Sequence, residues 1–151
     1  MSVYEKLKEL QVVLPVPTPP VAAFVPTVQA GKLCFVSGHI AKRDGKSWAG
    51  QLGVNMRTEE GQRAARSIAI DLLGTLHHEL GDLGRVERIV KVLCLVNSGP
   101  NFTEQHVVAN GASELLQEAF GKAGTHARSA IGVAQLPLGA CVEIELIVEI
   151  R

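Results

Sequence analysis

At 151 residues and 16.1 kDa the chain has the length of one ordinary domain, and its 46% hydrophobic and 20% charged residues exclude a disordered segment. Fifteen Lys and Arg balance fifteen Asp and Glu, so the basic excess that phosphate binding usually demands is missing. The same neutrality leaves little charge repulsion to oppose self-association.

Cys34, Cys94 and Cys141 are odd in number, far apart and embedded in apolar runs, which fits reduced, packed thiols better than a disulfide framework or a metal knuckle. The opening Met-Ser-Val-Tyr-Glu-Lys lacks the basic and apolar regions of a signal peptide, and no apolar run reaches the ~18–20 residues of a membrane span. The expected location is the cytoplasm.

In chain order, Ser2 and Glu5 have the spacing of a capping box and predict a short helix to about Leu10. Four prolines between Leu14 and Pro20 then force an extended connector. Runs 22–29 and 32–38 flank Ala30-Gly31 and predict a β-hairpin, with Pro26 confining the first strand to an edge or a bulge. Asp44-Gly45 marks a turn, and a weak third strand is expected from about Ser47 to Gly53.

Thr58-Glu59-Glu60 predicts a helix start, with Thr58 as the capping hydroxyl. Apolar residues from Ala64 to Leu80 keep helical spacing, and Gly81 supplies the stop. A strand over Arg85–Val96 follows, then a second capped helix from about Asn101–Glu104 to Phe120. Two strands close the chain, Ala127–Ala134 and Ala140–Ile150, separated by Leu136-Pro137-Leu138-Gly139. The pattern predicts one α+β domain over residues 1–151, with residues 1–21 as an extension and two long helices on one face of a mainly antiparallel sheet.

The last strand alternates most clearly. Val142, Ile144, Leu146, Val148 and Ile150 should face the helices, which turns Glu143, Glu145 and Glu149 to the other side. On the preceding strand Arg128, Ala130 and Gly132 share one face. Placing that face also away from the helices brings Arg128 beside Glu143, where a cationic fork and a carboxylate can hold a small anion and activate water.

Thr125-His126-Ala127-Arg128-Ser129-Ala130, then Leu136-Pro137, then Val142-Glu143-Ile144-Glu145, resembles the C-terminal signature of the RidA/YjgF family, also labelled endoribonuclease L-PSP. Gly31 to Gly38 is similar to that family's second strand and Ser-Gly turn, and the order of elements matches from about Ala22 to Ile150. The resemblance implies a chorismate-mutase-like fold and a homotrimer with ligand clefts between subunits. It also implies cofactor-independent, metal-free hydrolysis of reactive enamine or imine carboxylates, such as 2-iminopropanoate, to 2-oxo acids and ammonia. Arg128 then pairs with the substrate carboxylate and Glu143 handles the attacking water. Asn110, Ser37, Phe24 and the Ala130 N–H line the pocket. Two residues depart from the family pattern: Ala130 stands where a cysteine is usual, and Phe24 where a tyrosine is. His126, in place of the usual proline, is a further candidate for contact with substrate.

Simpler roles compete with these. Arg128 can be a structural partner of Glu143 or Glu145, and Glu143 alone can be merely solvent-facing. His77 and His78 are adjacent, so they point to different sides of a helix and do not have zinc-site spacing. A non-catalytic carboxylate binder, which the loss of the cysteine and the tyrosine hydroxyl favours, is the main alternative function. Ribonuclease activity is the weaker one, given neutral charge and six aromatic residues.

Overall fold

The computed structural model describes residues 1–151. Helix α1 (Val3–Glu9) carries the expected box, with Glu5 N–H donating to Ser2 Oγ and Ser2 N–H to Glu5. Strands β1 (Thr27–Ala30) and β2 (Leu33–Ile40) form the hairpin around Gly31. The first strand starts later than expected because Pro26 bounds it: having no N–H, the proline offers only its carbonyl, which accepts from Ser37 N–H.

The weak third strand is instead a small separate hairpin, β3 (Lys42–Arg43) and β4 (Lys46–Ser47), with Asp44 and Gly45 both at positive φ in its turn. Beyond it only isolated bridges form, at Ala49 and Leu52.

Helix α2 (Thr58–Leu80) ends at Gly81, which adopts the left-handed conformation at φ 80° that lets its N–H close on His77. Thr58 does not cap this helix. Its hydroxyl donates to Glu104 at the start of helix α3 (Gln105–Phe120), while Glu60 accepts from the N–H of Arg57, the actual cap residue. Helix α3 begins later than expected, without a side-chain cap. Strand β5 (Val86–Asn97) lies between the two long helices in sequence, and β6 (Ala127–Val133) and β7 (Val142–Ile150) follow α3.

One five-stranded sheet runs in the order β1-β2-β7-β5-β6. All its pairs are antiparallel except β5 with β6, which the α3 crossover makes parallel. Both long helices cover one face. Ala64, Ile68, Leu72, Leu73 and Leu76 from α2 and Val108, Ala112 and Leu116 from α3 pack on Val92, Ile144, Leu146 and Val148 in one continuous core. The helices approach closely at Gly111, where any β-carbon would run into the Gln62 carbonyl. Leu7 of α1 is buried in the same core, and the Pro15 backbone crosses α2 at Gly74. No helix is long and apolar enough to cross a membrane.

Candidate functional site

Register decides which face each candidate occupies. Arg128 pairs with Val92, which pairs with Leu146, and both of those are buried under the helices. Directly paired residues point to the same side, so Arg128 faces the helices, contrary to the sequence-based placement. The next row, Ala130 to Cys94 to Ile144, lies on the same side. Ile131 is the residue turned outward, 47% exposed, in a row with Leu95, Glu143 and Ile40. Arg128 and Glu143 therefore lie on opposite faces of one sheet, and one chain alone does not bring them together.

Arg128 sits on β6 at the sheet edge and reaches up to α3. Its Nη1 donates to Asn110 Oδ1 at 2.9 Å and to Ser113 Oγ at 3.1 Å, and its Nη2 to the His106 carbonyl at 3.2 Å. All three acceptors are neutral. The only ion pairs in the chain are Lys6–Glu9 and Arg151–Glu87, so this half-buried guanidinium has no carboxylate partner. Three of its five donors are spent, and Nε–H is among the two left over. His106, Asn110 and Ser113 recur at helical spacing along the α3 face that meets β6. His126, just before β6, hydrogen-bonds Ser113 and the Gly124 carbonyl and has no direct bond to Arg128.

Cys94 lies directly across from Ala130 and is fully buried, and desolvation pushes its thiol up to about 12. It is no substitute for a reactive cysteine at position 130.

The second cluster lies on the helix-free face. Between Val36 and His39 the β2–β7 register slips, and the slip contains Ser37 and Gly38. Ser37 Oγ donates to the Val25 carbonyl at 2.6 Å, next to the exposed Phe24. His39 holds the bulge from the other side, with Nδ1 2.8 Å from the Ser37 carbonyl and Nε2 2.8 Å from the Thr75 hydroxyl. Gly38 leaves the space in which the Glu143 carboxylate lies, since any β-carbon there would meet it. Flanked by Ile40 and Leu95, the Glu143 carboxyl is raised above the usual carboxylate range, first by burial and then by Glu145. It too has no cationic partner.

The helix stripe could be sought in the sequence at Asn110, three residues before Ser113. A serine inside an otherwise apolar, alanine-rich helix face was the available signal.

The model of the family described as Endoribonuclease L-PSP matches residues 16–150. The chain belongs to this family. Protein TCP17 of Trypanosoma cruzi is 46% identical to this endoribonuclease L-PSP family member over 147 residues, covering 96% of this chain and 92% of that one. A crystal structure of an Agrobacterium tumefaciens protein of unknown function superposes with a TM-score of 0.91 at 41% identity, covering 99% of this chain and 93% of its own. A candidate endoribonuclease from Shewanella oneidensis superposes at 0.95 with 26% identity, covering 99% and 100%. The α+β fold with its mixed sheet is thus that of the endoribonuclease L-PSP family.

Proposed function

We propose that this protein hydrolyses small reactive imines or enamines carrying a carboxylate, giving 2-oxo acids and ammonia. The observation that carries the reading is the half-buried Arg128 guanidinium, held by neutral acceptors and lacking a counter-ion. A cation fixed in this way, with Nε–H unspent, is preorganised for a ligand carboxylate.

Glu143 supplies the other half of the chemistry. A carboxylate of raised pKa is the stronger base once ionised, suited to taking a proton from water as its oxygen adds to the imine carbon. Glu143 returns that proton to the nitrogen, and the carbinolamine then expels ammonia as its hydroxyl proton passes to the leaving nitrogen and the carbonyl forms. No step needs a metal or an organic cofactor.

Because the two groups face opposite sides of one sheet, the site is completed by a second copy of the chain, in the homotrimer that the family resemblance implies. The helix-free face supports this. It carries Val28, Leu33, Phe35 and Ile131, all exposed, on a sheet side that no element of the chain covers. The Ser37, Phe24 and Glu143 cluster of one copy would then meet Arg128, Asn110 and the Ala130 N–H of the next.

The test couples an amino-acid oxidase to semicarbazide trapping of the imine. Wild type should compete with trapping, and Arg128→Ala should lose about a hundredfold or more in kcat/KM. Equal behaviour of the two proteins across several amino acids would sink the reading.

A second reading, a carboxylate-binding protein without catalysis, is favoured by the methyl group of Ala130 and the inert thiol of Cys94 beside it. It predicts 2-oxo acid binding that Arg128→Ala abolishes, with no turnover. RNA cleavage, the activity in the family's name, has least support from a chain of zero formal charge.

A further inference from the structure

Behind Arg128 stands a line of hydrogen bonds whose direction can be deduced. His126 Nδ1 lies 2.6 Å from the Gly124 carbonyl, which has no proton to give, so Nδ1 carries the proton. In the neutral ring Nε2 is then an acceptor, and at 2.9 Å it takes the single proton of Ser113. Its donor committed, Ser113 Oγ meets Arg128 Nη1 as an acceptor only. Ser113 is 6% exposed, so solvent does not readily stand in for His126. Successive bonds pointing the same way polarise one another. Left without His126, the hydroxyl would be free to turn its proton toward the guanidinium or back onto its own helix.

We propose that His126 and Ser113 are positioning residues for the anion site. The His126–Ser113 relay locks Nη1 of Arg128 against α3 and so keeps Nε–H aimed at a ligand carboxylate. His126 acts through Ser113 and does not touch the ligand. The inference rests on Arg128 being the carboxylate anchor.

The full-length protein provides a test that does not require turnover. Rotation of the Arg128 guanidinium, read from side-chain ¹⁵N exchange, should be slow in the wild type. It should quicken by about tenfold in Ser113→Ala and His126→Phe, which remove the relay. His126→Gln, whose amide oxygen can still take the Ser113 proton, should restore slow rotation. Pyruvate affinity should follow the same order, weakening about tenfold in the first two variants and recovering in the glutamine variant. A merely structural role would lower the melting temperature without this rescue.

Unchanged rotation in both His126→Phe and Ser113→Ala overturns the relay. Quickened rotation with pyruvate affinity equal in every variant, Arg128→Ala included, overturns the carboxylate anchor and leaves the relay standing. Should Ser113→Ala fail to fold, the phenylalanine and glutamine variants of His126 decide the matter between them.

Discussion

Glu143 is held in a setting that disfavours its charge. Its folded-state pKa is raised above the ordinary carboxylate value, so the residue favours folding at low pH, where it is neutral in both states. That contribution disappears as pH rises through the folded value. At neutral pH the ionised side chain costs stability. Glu143→Gln should therefore raise the melting temperature at pH 7 and have little effect near pH 3, while removing imine hydrolysis. A fall in the pH 7 melting temperature would contradict this account of the burial. Gly38 belongs to the same argument: Gly38→Ala pushes a methyl into the carboxylate, so activity should fall much further than stability.

At the scale of elements, the bulge in β2 and the crossing of α2 with α3 hold the two clusters. His39 clamps the bulge as a neutral ring, its pKa lowered chiefly by burial. A histidine depressed in this way contributes stability above its unfolded value near 6.5, and that stability is lost as pH falls toward the folded value. Melting curves should show the loss below about pH 6.5, and His39→Gln should flatten it. Gly111→Ala should cost about 1–3 kcal/mol in urea unfolding, since a methyl there meets the Gln62 backbone and not a side chain that can swing away.

Much of this level was legible in the sequence. The β7 alternation, the span of α2 with its Gly81 stop and the Ser2 capping box all appear as read. The face of Arg128 was not legible, and the reason is physical. Alternation tells which residues of β6 share a side, but only the parallel register with β5 tells which side that is. Thr58 misled for a related reason, since its hydroxyl was claimed by Glu104, 46 residues away.

For the whole molecule, opposite placement of Arg128 and Glu143 makes a prediction about mixtures. If each site takes its arginine from one copy and its glutamate from the next, Arg128→Ala and Glu143→Gln are each inactive alone. Unfolded together and refolded at equal ratio, they should regain about a quarter of the wild-type activity, because random assembly makes that share of sites whole. No recovery from a mixture shown to contain mixed oligomers would place the whole site within one chain. Ser113 and His126 enter such sites only with the copy that carries Arg128, so Ser113→Ala should be complemented by Glu143→Gln and not by Arg128→Ala.

The sulfur buried beside Ala130 has a consequence of another kind. With its thiol pushed up to about 12 by burial, Cys94 stays protonated at pH 8 and offers no thiolate for attack. Cys141, raised to about 11, is similarly quiet. Alkylating agents and peroxide should leave turnover untouched at concentrations that silence an exposed active-site thiol. A hydrolase built on Arg128 and Glu143, as proposed above, would have no catalytic thiol for oxidation to remove.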